Sequence, residues 1–189
     1  LFMGEEYAEE APFPFFVDFA DAELQTAVSE GRKKDLQDLN WSGEPLDPNA
    51  ADTFLCAKLG WQLRCQDKHG VMLDFYRELI KLRRSLPSLA QLDKQKLEVS
   101  LPADDKLVMM RRWHQNSQVV IFLNFSHQEN SFLFPDQPGA WEKLIDSAES
   151  RWNGPGSSLP DQTIGKQNIS IAPLSIALYN YHVPAEEGL

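Results

Sequence analysis

Cysteine is scarce: Cys56 and Cys65 are the only two in 189 residues. Two thiols cannot supply the disulfide framework of a small secreted domain, and they fit a reducing compartment as small buried hydrophobes. Positive charge is missing from the start of the chain. Residues 1–30 carry eight acids and no Lys or Arg, and the first base is Arg32. A secretory signal opens on basic residues, so the expected location is cytoplasmic. No apolar run approaches the roughly 20 residues that span a bilayer, so no membrane contact is expected. The whole chain has 18 Lys+Arg against 28 Asp+Glu, a formal net charge of −10. Phosphate neutralisation needs clustered bases, so no nucleic-acid partner is expected either. The four histidines, at positions 69, 114, 127 and 182, include no i, i+4 pair. Neither a metal site nor a cofactor is therefore expected. No Gly-x-Ser-x-Gly occurs. The Gly-rich stretch 153–158 lacks the lysine of a phosphate loop and reads as a turn.

What is present suits a folded chain, with 42% hydrophobic and 24% charged residues. Leu1-Phe2-Met3 reads as the end of a buried strand. Residues 5–19 hold Pro12, Pro14 and four phenylalanines without a clean period, which predicts a loop with aromatic anchors. Asp21 is a candidate N-cap for a helix over about 22–30 that Gly31 would end, with a second short helix over about 32–39. Residues 41–49 read as irregular and 50–59 as helical. The clearest helix is at about 70–86, where Met72, Phe75, Tyr76, Leu79, Ile80, Leu82 and Leu86 recur at helical spacing and Pro87 stops the pattern. His69 reads as part of that helix's cap. After about residue 95 short β-type runs follow, at 107–110, 119–125, 132–134, 141–145, 169–171 and 176–179. Turn residues separate them, which predicts an antiparallel sandwich. The expected fold class is α+β, with its boundary near 90–96.

The acidic opening segment is either an exposed loop or a carboxylate-rich wall of a site for hydroxyl-bearing ligands, since carboxylates accept strongly from such donors. Glycosidic hydrolysis needs two carboxyls facing one bond, about 5–5.5 Å apart for retention or roughly 6.5–9.5 Å for inversion. Glu5 and Glu6 are neighbours at a strand end, and such side chains point to opposite faces. They make a poor acid and nucleophile pair. Phe13, Phe15, Phe16, Trp41 and Trp61 are either core rings or platforms for the apolar face of a sugar. The residues alone contain no self-sufficient catalytic constellation.

The run Leu1-Phe2-Met3-Gly4-Glu5-Glu6-Tyr7, then Pro12-Phe13-Pro14-Phe15-Phe16, Asp18-Phe19 and Asp21-x-Glu23-Leu24, resembles the eighth-strand region of the malto-oligosyltrehalose trehalohydrolase family. The resemblance continues through Asp47-Pro48, Thr53-Phe54, Lys58-Leu59-x-Trp61 and the helix bearing Tyr76-Arg77 and Arg83-Arg84, and covers roughly residues 1–92. From about 96 onward the chain is similar to the β-sandwich that closes α-amylase-family proteins, ending in a pattern like Pro173-Leu174-Ser175-Ile176-Ala177. The resemblance implies the end of a (β/α)₈ barrel over 1–92, an antiparallel sandwich over 96–182 and a tail over 183–189. Active sites of such barrels lie at the C-terminal ends of the strands. Glu5, Glu6, Tyr7, Phe13, Phe15, Phe16 and Asp18 would then line the rim of the substrate cleft.

The family reaction is retaining hydrolysis of the α-1,4 bond that releases trehalose from maltooligosyl-trehalose. The aspartate nucleophile, glutamate acid/base and second aspartate belong to the fourth, fifth and seventh strands. No residue here is assigned a catalytic role, and the chain is expected to be inactive alone. Its expected partners are the absent N-terminal barrel and, in the intact enzyme, maltooligosyl-trehalose or α-glucan. The start at Leu1 fits a piece of something longer. Two alternatives remain at this point: a non-catalytic sandwich that binds glucan or buttresses a barrel, and the end of a glucan branching enzyme. Trp113, Trp141 and Trp152 discriminate on the sandwich, since exposed rings favour binding and buried rings favour scaffolding.

Overall fold

The computed structural model describes residues 1–39, 42–43, 45–101 and 106–183. These form two compact units, Leu1–Leu73 and Asp74–Leu189. The second unit starts inside the long helix, whereas the sequence texture changes only near 90–96. Trp41 and the tail beyond Val183 lie outside the described residues.

In the first unit, helix α1 (Ala22–Asp38) starts where Asp21 Oδ1 accepts the amides of Glu23 and Leu24 at 2.9 and 3.0 Å. It runs through Gly31 as one helix, where two were expected. A glycine inside a helix costs only about 1 kcal/mol relative to alanine, and the strong helix formers that follow carry the pattern onward. None of its residues is buried. Helix α2 (Ala51–Cys56) agrees with the expected helical stretch. Leu1-Phe2-Met3 is not a strand. Leu1 and Phe2 are exposed, and Met3 and Gly4 turn the chain with φ of 49° and 80°. A lone extended segment needs a neighbouring strand for its backbone hydrogen bonds, and the first unit has no strand among its described residues. Cys56 and Cys65 are exposed rather than buried. Cys56 ends the short α2, and Cys65 ends a five-residue 3₁₀ helix, Trp61–Cys65, that has no buried residue.

Helix α3 (Asp67–Ser85) and the short α4 (Pro87–Ala90) follow. Proline at the first position of α4 is compatible with a helix start, because that amide has no helical partner anyway. The strands of the second unit are β1 (Leu97–Ser100), β2 (Leu107–His114), β3 (Ser117–Asn124), β4 (Asn130–Leu133), β5 (Ala140–Asp146), β6 (Gln162–Ile164), β7 (Asn168–Ile171) and β8 (Ser175–His182). They build a six-stranded sheet, β1-β2-β3-β8-β5-β6, and a two-stranded sheet, β4-β7, with every pairing antiparallel.

Strand β3 explains why the run Val119–Leu123 is continuously apolar. Val120 and Phe122 join Phe132, Phe134, Trp141, Ile169, Ile171, Ala177 and Tyr179 in the core between the sheets. Val119 and Ile121 point the other way, into a core with Phe75, Leu79 and Leu82 of α3, Leu89 of α4 and Leu86 between the two helices. A strand buried on both faces has no polar side to alternate. A bulge in β5 serves the same two cores. The register shifts between Lys143 and Ile145, so Trp141 packs between the sheets while Ile145 packs under the helices. Without that extra residue both side chains would share a face. The second half of α3 thus docks on the sheet, and the unit has three layers.

Candidate functional site

The expected cleft rim is held by a cluster of polar contacts in the first unit. Gly4 takes a left-handed φ, and a Cβ there would meet Tyr7 Oη at 2.6 Å, so the turn needs glycine. Glu5–Tyr7 then form one 3₁₀ turn. Tyr7 is fully buried, with its ring 6.2 Å from that of Trp61. Its hydroxyl donates to Glu9 Oε2 at 3.0 Å, and the amide of Gly60 donates to the same oxygen at 2.7 Å. Glu9 Oε1 accepts from the amides of Glu10 and Ala11 at 2.8 and 2.9 Å. The Ala11 amide, helped by those of Gly60 and Glu10 and by Tyr7, holds the Glu9 carboxyl below its ordinary range despite partial desolvation. Burial first, then the bond to Glu9, pushes the Tyr7 phenol up.

His69 closes the cluster. It is 2% exposed, and its Nδ1 lies 2.8 Å from the Tyr7 carbonyl oxygen. A carbonyl only accepts, so Nδ1 carries the hydrogen. Lys68 holds Glu10 at 2.5 Å and lowers that carboxyl's pKa. His69, expected in the cap ahead of the helix, lies instead inside the first turn of α3 and ties that helix to the rim loop.

Beyond this clamp the loop opens. Phe13 meets Phe2 edge-on at 5.0 Å, and the Arg32 guanidinium stands 6.0 Å from the Phe15 ring. Phe16, Val17 and Asp18 reach a cavity of about 490 Å³ whose other wall includes Asn49 and Phe54. The Val17 amide donates to Pro48 O at 2.9 Å and fixes that wall. Asp47 organises the opposite side. Its carboxylate accepts from Ser29 Oγ at 2.6 Å and from the Asn49 amide at 3.1 Å, and its carbonyl accepts from Thr53 Oγ1 at 2.6 Å. The Ser29 bond and the Asn49 amide lower the Asp47 carboxyl.

The structure therefore brings two of the expected rim residues, Phe16 and Asp18, to one cavity. Glu5, Glu6, Phe13 and Phe15 lie elsewhere on the loop, and Tyr7 presents no surface. Asn49 and Phe54 were not singled out as site residues, although the segments around them carried part of the family resemblance. On the sandwich, Trp141 is fully buried, Trp152 packs edge-on against Phe75 at 5.2 Å, and Trp113 is half-buried beside Arg111. Among the described residues no group of three or more His, Cys, Asp or Glu is placed to hold a metal, and no helix is long and apolar enough to cross a membrane.

Residues 95–165 match a family model described as a domain of unknown function (DUF3459). The chain is 34% identical over 186 residues, 98% of its length, to malto-oligosyltrehalose trehalohydrolase from Mycobacterium tuberculosis (strain H37Rv), and it covers 28% of that protein. It is 36% identical over 161 residues, 85% of its length, to malto-oligosyltrehalose trehalohydrolase from a Rhizobium species (strain M-11), covering 26% of that protein. A crystal structure from Salmonella typhimurium, provisionally assigned as an α-amylase, superposes on 95% of this chain and 27% of its own, with a TM-score of 0.69 and 29% identity. The chain spans about a quarter of the length of these relatives. Its sequence resemblance is thus to the malto-oligosyltrehalose trehalohydrolases of the α-amylase family, over a stretch that makes up about a quarter of those proteins.

Proposed function

We propose that this chain is the C-terminal portion of an α-amylase-family glycoside hydrolase that releases trehalose from maltooligosyl-trehalose. In this reading residues 1–92 are the end of the (β/α)₈ barrel and residues 96–182 are the sandwich that supports it. Glu5 through Asp18 border the substrate cleft. The reacting carboxylates lie on strands outside the chain, so the isolated chain is inactive. The single observation that carries the reading is the identity of 34% sustained over 98% of the chain with one trehalohydrolase. The first unit supplies a physical reason as well. Phe2, Phe13, Phe15, Leu39, Leu46, Leu55 and Trp61 are half-exposed or more. So many apolar side chains on one small unit suit a surface covered by further protein.

Buried or packed rings at Trp141 and Trp152 favour a scaffolding sandwich over a glucan-binding one. The names of the curated relatives favour hydrolysis over branching. The test is trehalose release from maltooligosyl-trehalose, assayed with the chain alone and with the chain joined to the protein encoded immediately upstream of it. No release alone and release when joined is the expected outcome. Robust release by the chain alone overturns the proposal.

A further inference from the structure

The second unit holds a cavity of its own, lined by Asp146, Glu129 and three serines. We infer that it is a binding site for one hard divalent cation, calcium by its ligand set, with Asp146 and Glu129 as the charged ligands. The ion would pin the two sheets of the sandwich together at one end. The site lies far along the chain from residues 5–18 and does not depend on trehalose release.

The cavity measures about 310 Å³ and lies where three stretches of chain converge. Asp146 ends β5 of the six-stranded sheet. Glu129 precedes β4 and Ser170 lies in β7, the two strands of the smaller sheet, while Ser157 and Ser158 come from the loop before β6. Asp146 is only 1% exposed. Its Oδ1 accepts the Ala148 amide at 2.8 Å, which fixes the direction of the carboxylate. Its Oδ2 takes no hydrogen bond and joins no ion pair among the described residues. That oxygen is not sealed off, and it keeps its accessible area on the cavity wall. A carboxylate taken out of water without a positive partner is costly, and buried charges are ordinarily paired or bound to a metal. Lys143, earlier on β5, shows the ordinary case: it meets Glu149 and Asp161 at 3.2 and 3.1 Å. Asp146 instead turns its free oxygen toward an open space.

Glu129 brings the second charge. It is exposed, and its Oε1 accepts from Ser170 Oγ. The lining holds these two carboxylates and no Lys, Arg or His, which disfavours phosphates and carboxylates as ligands. It contains no aromatic ring, so it offers a sugar no stacking surface. Its polar side chains supply oxygen alone, without imidazole or thiolate, which suits Ca²⁺ and not Zn²⁺. Ca²⁺ takes six to eight oxygens in flexible geometry, so hydroxyls, carbonyls and water complete the shell, whereas Mg²⁺ demands a near-ideal octahedron. Two carboxylates and no third place the affinity in the weak range, roughly 10⁻⁴–10⁻³ M.

The experiment uses the 189-residue chain freed of metal with EDTA, and reads terbium luminescence and thermal unfolding. Tb³⁺ stands in for Ca²⁺, and Tyr179 is its antenna. Burial first, then the charge on Asp146, pushes the Tyr179 phenol up, so the two side chains lie within electrostatic reach of each other. Sensitised emission that Ca²⁺ displaces is expected. At constant ionic strength, roughly 10 mM Ca²⁺ is expected to raise the unfolding midpoint of the second unit by about 5 °C, and Mg²⁺ far less. Asp146→Asn keeps the acceptor for the Ala148 amide and removes the charge, and it is expected to abolish both responses. Glu129→Gln, at an exposed side chain, is expected to weaken Ca²⁺ about threefold to tenfold. No displaceable emission, equal stabilisation by Mg²⁺ and Ca²⁺, or a Ca²⁺ response that survives Asp146→Asn overturns the inference. If Asp146→Asn does not fold, Glu129→Gln decides alone, and an unchanged Ca²⁺ affinity there overturns it.

Discussion

The two units are stabilised in opposite ways. The second places apolar side chains on both faces of one sheet, and the fully buried Phe122 alone stands within aromatic contact distance of Phe132, Phe134 and Tyr179. In the first unit the buried hydrophobics are Tyr7 and Ala57, among the described residues, and the 17-residue α1 buries none. Its structure depends on directional contacts: Glu9 with four donors, His69 on the Tyr7 carbonyl, and Asp47 with Ser29, Asn49 and Thr53. Such contacts each add only about 0.5–1.5 kcal/mol net, whereas a buried apolar side chain adds roughly 1.5–3 kcal/mol. A chain segment can thus be specified in detail by polar contacts and still lack the burial that makes a fold self-sufficient.

The largest expected effect is in the sandwich. Phe122→Ala should cost about 3–5 kcal/mol, read as a fall in the denaturant midpoint of the second unit. A cost below about 1 kcal/mol would break the contrast. Leu82→Ala comes next. Leu82 is 8% exposed and lies in the core shared by helix and sheet. Its loss should cost about 2–5 kcal/mol and lower the same sandwich transition. If the sandwich transition stays put, the second half of α3 does not belong to that unit.

The third effect is local and depends on pH. The folded Glu9 carboxyl titrates below its ordinary value, so its contribution is full above that value, about 4.3, and is lost as pH falls through the depressed folded value. The amide resonance of Gly60, which donates to Glu9, should titrate with a midpoint below the ordinary glutamate value. Glu9→Gln should abolish that titration. A midpoint at or above the ordinary value would remove the clamp. The smallest effect is expected at Leu24, 43% exposed on α1. Leu24→Ala should change stability by no more than about 0.5 kcal/mol, measured by denaturant unfolding. A larger loss would mean that α1 has a core of its own.

Much of the second unit was legible from its sequence. The runs at 107–110, 119–125 and 176–179 are dense in β-formers and became the central strands. The edge strands β1 and β6 were missed, because Leu97–Ser100 and Gln162–Ile164 are short and largely exposed, leaving little hydrophobic pattern to read. The first unit was less legible for the reason that makes it different. Little of its conformation is decided by burial, so apolar runs misled. Leu1–Met3 reads as a strand but is exposed chain that turns at Met3 and Gly4, and Gly31 reads as a stop but is passed. At the site, Phe16 and Asp18 could be picked out by type within the aromatic, acidic loop. Asn49 and Phe54 could not, since the network around Asp47 brings them there from some thirty residues away.

Native-state hydrogen exchange on the whole chain separates the two units most directly. Amides of β3, β5 and β8 should exchange only through cooperative unfolding of the second unit, while those of α1 exchange orders of magnitude faster through local opening. Protection in α1 equal to that in β3 would contradict the claim that the first unit lacks the burial that stabilises the second.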